Sequence, residues 1–151
     1  MPQSHAQVWL HTVFSTKHRR KFLEKPEFRE QMFRMLAHHV KELGCTVAIV
    51  GGHVDHVHLL TSLSRTLKIC KFVEGVKTET SKWAKGASEG NREFAWQSGY
   101  GVFSVSASNL TDVKQYVENQ EEHHAKRSYQ DEFRPLCIKH GIEIDERYVW
   151  D

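Results

Sequence analysis

The chain has 151 residues, 39% of them hydrophobic and 26% charged, which fits one soluble globular domain and excludes a disordered or fibrous chain. Its formal net charge is only +2, so bulk charge does not mark a nucleic-acid binder, and any such contact must come from local clustering. Cys45, Cys70 and Cys137 stand far apart with no CxxC pair, which argues against a disulfide framework or a structural zinc site, and no apolar run reaches transmembrane length.

The eleven histidines are the compositional oddity, and they raise the prospect of metal or acid–base chemistry. The polar opening, Met1 to Ala6, lacks the apolar centre of a signal peptide. With reduced thiols this points to a cytoplasmic protein.

Residues 7–16, QVWLHTVFST, are rich in β-branched and aromatic types and read as a strand. A basic run follows, from Lys17 through His18, Arg19 and Arg20 to Lys21. Pro26 suits a helix start, and Phe28, Met32, Met35, Leu36, His39, Val40 and Leu43 then fall at helical spacing up to a stop at Gly44. Cys45 to Val50 reads as a second strand, Gly51-Gly52 as a turn, and Val54 to Thr61 as a third strand.

Ser64 is the expected cap of a second long helix, with an imperfect stripe at Leu67, Cys70/Lys71, Val73/Glu74 and Lys77. Residues 86–92 read as a loop, and Phe94 to Val105 as strand pieces broken by Gly99 and Gly101. Ser108 or Asn109 can cap a third helix from Leu110 to about Lys126. A short helix near Gln130–His140, stopped by Gly141, and an extended end complete the chain.

This order predicts an α+β fold. It is the ferredoxin-like βαββαβ pattern, an antiparallel sheet with helices on one face, plus an added C-terminal helix. The expected organisation is a single domain over 1–151, with a core at about 7–106, the added helix at about 109–126 and a tail at 127–151.

Two motifs carry chemistry. In Asp55-His56-Val57-His58-Leu59-Leu60, strand alternation points His56 and His58 to one face and Val57 and Leu59 to the other. Two imidazoles so placed can chelate one divalent cation, whereas Asp55 starts on the opposite face. An isolated pair of this kind is also common on a solvated sheet face. In the run from Asp112 to His124, Tyr116 and Gln120 lie one helical turn apart, and His123 and His124 extend that face. Tyr116 offers a phenol nucleophile and Gln120 a carbonyl oxygen as ligand. Tyr100, Tyr129 and Tyr148 have no potential ligand at that spacing.

Taken together, a strand His-Val-His before a helix carrying Tyr116-xxx-Gln120 resembles the single-tyrosine HUH transposases of the insertion sequence 200/605 group. The opening VWLHTVFSTKHRRKFL, the stretch FAWQSGYGVFSVS and the run QYVENQEEHH resemble the same family, so the likeness spans nearly the whole chain. Val54 departs from the proline common before the histidine motif, which affects a turn and no ligand.

The resemblance implies that His56, His58 and Gln120 bind Mg²⁺ or Mn²⁺ at a scissile phosphate; apart from it, the helix spacing also allows His123 or His124 to replace or supplement Gln120 at the metal. It implies that Tyr116 attacks DNA to leave a 5′-phosphotyrosine and a free 3′-OH. It also implies single-stranded DNA as partner, at hairpin ends of a mobile element, and a homodimer in which the tyrosine helix acts in trans. Candidate DNA contacts are Lys17, Arg19, Arg20 and Lys21, then Lys77, Lys82 and Lys85, with Trp83 and Trp96 able to stack on unpaired bases.

Three rival readings remain at this level. One is a non-catalytic nucleic-acid-binding module on the same fold. Another is a relaxase or replication-initiator nuclease. The third is a domesticated relative acting on repetitive palindromes.

Overall fold

The computed structural model describes residues 2–46 and 48–151; Val47, inside the second expected strand, lies outside them. Strands β1 (Trp9–Ser15), β2 (Ala48–Gly52), β3 (His56–Ser62) and β4 (Gly101–Val105) form one sheet in the order β2-β3-β1-β4. Every pairing is antiparallel. This is the ferredoxin-like order, and the α+β class expected from the sequence holds.

Helices α1 (Pro26–Glu42) and α2 (Ile69–Ala87) cover one face of the sheet. Their buried residues Met32, Leu36, Val40, Phe72, Val73 and Val76 pack with Phe14, Val57 and Leu59, the alternate positions of β1 and β3. The opposite face carries His11, Val13, His56 and His58. It is covered by α3 (Leu110–Glu118), α4 (Gln120–His124) and α5 (Tyr129–Lys139). All seven residues of β3 are buried as a result, and its histidines lie inside the protein rather than on a solvated sheet.

Several boundaries differ from expectation. Gly51 and Gly52 are strand residues of β2, not a turn. A Cβ on Gly51 would stand 1.8 Å from the carbonyl oxygen of Val117, so glycine here permits α3 to seat directly on the strand. Helix α2 begins at Ile69, because the Ser64 carbonyl closes a turn onto the Leu67 amide and its hydroxyl meets Thr66 instead of capping. Its buried face is Phe72, Val73, Val76, Thr80 and Ala84, so Cys70, Lys71 and Glu74 of the expected stripe lie outside it.

The expected helix from Leu110 to Lys126 is broken at Asn119, which leaves helical geometry at φ −99° and ψ 27°. Within Phe94 to Val105 only Gly101–Val105 is a strand, while Trp96 makes a single bridge to Thr16. The C-terminal residues 146–150 form turns rather than an extended end. Gly44 and Gly141 both end helices at positive φ, as expected.

Candidate metal and tyrosine site

β3 holds His56 and His58 with no exposure, side by side on the face that α3 to α5 cover. The break at Asn119 turns α4 back across this face. Arg29 of α1, itself buried, pairs with Glu121 and ties α4 down. These movements bring Gln120 and His124 over the pair, and α5 inserts Glu132 from the other side. Donor atoms of His56, His58, His124 and Glu132 all lie within 4.8 Å of one another.

The outward hydrogen bonds determine which atoms face the centre. His56 Nδ1 lies 2.8 Å from Asp55 Oδ1, His58 Nδ1 lies 2.8 Å from His11 Nε2, and His124 Nδ1 lies 2.7 Å from the Arg127 carbonyl oxygen. With a cation bound and an N–H on each Nδ1, all three Nε2 atoms would present lone pairs inward; without one, the Nε2 atoms that meet Glu132 carry the hydrogen and donate to it. The Gln120 amide nitrogen donates to the Tyr116 carbonyl at 3.0 Å, which leaves its Oε1 facing inward, 3.3 Å from His56 Nε2 and 3.0 Å from His124 Nε2. Glu132 Oε1 stands 2.8 Å from His58 Nε2, 3.1 Å from His124 Nε2 and 3.5 Å from His56 Nε2. One cation would satisfy these inward atoms together. The donor set fits a divalent ion.

Electrostatics follow the same geometry. Burial opposes the protonated form of His56, but hydrogen bonds to Asp55 and Glu132 outweigh it and raise its pKa to about 9. Burial dominates at His58 and lowers it to about 4, and at His11, with His58 beside it, to about 3. Burial also opposes the charge on Glu132, yet hydrogen bonds from His124, His56 and His58 hold its carboxyl far below the usual range. Without a cation these directions favour a protonated His56 and an ionised Glu132, with His58 and His11 neutral.

Tyr116 is the tyrosine whose hydroxyl meets the cluster. It donates to Glu132 Oε2, and its ring packs 5.7 Å from His58 and 4.9 Å from His123, centroid to centroid. Burial, and then the Glu132 charge, push its pKa well above the ordinary phenol value. Tyr129 also packs on His56, at 4.8 Å, but its hydroxyl turns away to Gln97. Tyr100 and Tyr148 are exposed. Tyr116 stands at the histidines of its own chain.

The structure thus gathers His56, His58, Gln120, His124 and Tyr116 in one place, while His123 stays beside the Tyr116 ring, outside the convergent set. Glu132 and His11 were missed as members, and so was the orienting role of Asp55. Asp55 is no convergent ligand, but its carboxylate orients His56. His11 had a legible signal, since its parity on β1 matches Val13, directly opposite His58. Glu132 had none: it sits in a tail helix 74 positions from His58.

The basic candidates are dispersed. Lys17, Arg20 and Lys21 are exposed at the turn after β1, Arg19 is partly exposed there, and Arg20 pairs with Glu93. Lys82 and Lys85 are exposed on α2, and Lys82 pairs with Glu79. Lys77 is engaged internally, donating to the carbonyls of Gln97 and Gly99 at 2.8 and 2.6 Å, and burial lowers its pKa to about 8. Trp83 is half-buried and stacks on Phe28, with centroids 5.4 Å apart. Trp96 is a core residue whose indole N–H donates to Thr80, so it is not open to a base as expected. Among the described residues no helix is long and apolar enough to cross a membrane.

A family model described as "Transposase IS200 like" matches residues 4–120. Among solved structures, a transposase from Deinococcus radiodurans R1 superposes with a TM-score of 0.61 at 23% identity, covering 80% of this chain and 98% of that one. A REP-associated tyrosine transposase bound to a REP hairpin aligns with a TM-score of 0.49 at 16% identity, covering 78% of this chain and 68% of that one. No curated protein sequence gives a match. The first of these structural likenesses supports the fold, and the family model spans more than half of the sequence, so the chain belongs to the IS200-like transposase family.

Proposed function

We propose that this transposase cleaves and rejoins single-stranded DNA at the ends of its element, with Tyr116 as nucleophile and a divalent cation, Mg²⁺ or Mn²⁺, held by His56, His58 and Gln120 with His124 and Glu132. The observation that carries the proposal is the meeting of the Tyr116 hydroxyl and the inward-facing histidine nitrogens on one buried carboxylate, Glu132. When bound, the cation neutralises phosphate charge and polarises the P–O bond for in-line attack.

The chain's own residues do the rest. Glu132 and Gln120 hold the tyrosine side chain and backbone against the centre. The Tyr116 Oη–P bond forms as the P–O3′ bond breaks, and the phenol proton ends on the departing 3′ oxygen. The products are a 5′-phosphotyrosine and a free 3′-OH. A 3′-OH from another end reverses the exchange and reseals the strand. Bond energy is conserved in the protein–DNA link, consistent with a sequence that has no P-loop.

The seat of α3 on Gly51 supports a tyrosine that works in cis, on its own chain's histidines. The homodimer with trans action implied by the family resemblance would need α3 to leave that seat. Mixing Tyr116→Phe with His56→Ala protein separates the two arrangements, because only trans action restores cleavage. Exposed Lys17, Lys21, Lys82 and Lys85, with Arg19 and Arg20 beside the turn after β1, are the proposed backbone contacts for the DNA, with Trp83 at their edge.

The test is covalent trapping. Wild type and Tyr116→Phe are incubated with Mn²⁺ or Mg²⁺ and labelled single-stranded DNA from the ends of the native locus, then run on a denaturing gel. A metal-dependent shifted band in wild type that is absent in the variant is expected. A band that persists in Tyr116→Phe moves the nucleophile elsewhere. Clear binding with no band in wild type favours the non-catalytic module.

A further inference from the structure

A cavity of about 450 Å³ opens between β4, α3 and α5, and Tyr116 and Glu132 form part of its wall. Its volume falls within the range of about 300–1,000 Å³ typical of small-ligand sites. Phe103 and His140 also line it. Phe103 is buried, and the exposed His140 ring lies stacked against it, with centroids 4.7 Å apart and planes 29° apart. The imidazole is thus a flat surface backed by a fixed aromatic ring.

Arg127 and Lys139 add two exposed cations to the lining, and Asp112 adds a hydrogen-bond acceptor. The Arg127 backbone carbonyl is held by His124, a member of the cation cluster, and Arg127 lines the same cavity as Tyr116. A planar stacking surface, two cations and an exposed carboxylate beside the Tyr116 hydroxyl match the chemistry of a single nucleotide. Flat aromatic area takes a base, the cations take its phosphates, and the carboxylate takes an exocyclic amine.

We propose that this cavity is a subsite for one unpaired DNA nucleotide adjoining the scissile phosphate, with its base stacked on His140. The proposal rests on Tyr116 being the nucleophile, since it is the wall shared with Tyr116 that places the nucleotide next to the cut. It makes α5, a tail helix, part of the substrate-reading surface. It also gives the enzyme a preference for unpaired over paired bases at that position, because a base held in a duplex cannot enter the cavity.

The fluorescent base 2-aminopurine, placed at successive positions of a single-stranded end oligonucleotide, tests this. Full-length wild type is expected to quench it strongly at one position flanking the cut. His140→Ala is expected to lose that quench and to bind the DNA about five-fold or more weakly. On DNA abasic at that position, wild type and His140→Ala should bind alike. Lys139→Ala should weaken binding while keeping the quench. His140 is exposed, so the variant is expected to fold, and its melting temperature verifies this.

Equal quenching by wild type and His140→Ala, or the same loss of binding on abasic DNA, overturns the subsite. The covalent band, run on the same oligonucleotides, reports separately on the tyrosine chemistry. A band with a His140-independent quench sinks the subsite alone. A His140-dependent quench with no band keeps a nucleotide pocket and overturns its placement at a cut made by Tyr116.

Discussion

Tyr116 donates its hydroxyl hydrogen bond to one oxygen of Glu132, while the other oxygen of that carboxylate lies 2.8 Å from His58 Nε2. One buried side chain from α5 thereby ties the proposed nucleophile to the histidine pair. Glu132→Gln keeps the shape and removes the charge. It is expected to weaken Mn²⁺ binding at least about tenfold. It should also slow formation of the covalent adduct even at saturating metal, because a neutral amide that can turn its nitrogen toward Tyr116 replaces a charged acceptor. Calorimetric Mn²⁺ titration and single-turnover trapping measure the two effects, and unchanged values in both would remove Glu132 from the site.

Asp55 acts through His56. Its carboxylate receives the Nδ1–H and so keeps Nε2 turned inward. Asp55→Ala should leave the fold intact, since the residue precedes β3 and its side chain is partly exposed. Metal affinity is expected to fall by about 10–100-fold. An affinity within a factor of two of wild type would show that packing alone orients His56.

Gly51→Ala tests the seat of the tyrosine helix. The new Cβ would collide with the Val117 carbonyl oxygen at 1.8 Å, and backbone cannot yield as a side-chain tip can. Helix α3 must lift, at a cost of about 1–3 kcal/mol, and Tyr116 moves with it. Covalent-adduct formation should be lost while the sheet and its far-ultraviolet signature persist. An active, equally stable variant would mean that α3 is not held where the structure has it.

The metal-free protein should show an acid–base signature of its own. His56 has a folded pKa of about 9 against an ordinary 6.5, so its stabilising contribution is complete below about 6.5 and is lost as pH rises through about 9. His58, lowered to about 4, acts in the opposite sense and costs stability as pH falls from 6.5 through about 4. Urea unfolding of wild type and His56→Ala in a chelator is expected to show their difference shrinking between pH 6.5 and 9.5. Because a cation displaces the His56 proton, Mn²⁺ binding near pH 7 should release about one proton, visible as a buffer-dependent heat.

The strand-helix order, the antiparallel sheet, and the pairing of a histidine motif with a tyrosine-glutamine helix were all legible in the sequence. They depend on local rules: alternation along β3 sets the direction of His56 and His58, and a single helical turn joins Tyr116 to Gln120. The glycine stops at Gly44 and Gly141 were legible for the same reason, since only their own backbone conformation is involved. What covers the second face of the sheet was not legible. Whether β3 histidines meet solvent or helices depends on where a broken helix and a tail helix land, and that is a matter of packing between segments far apart in the chain. The kink at Asn119, the seat of Val117 on Gly51 and the arrival of Glu132 beside His58 are decided by such contacts. Tertiary structure alone therefore turned two weak local motifs into one buried centre, because burial removes water as a competing ligand and leaves the inward-facing nitrogen and oxygen atoms with only one another, a proton or a cation to satisfy them.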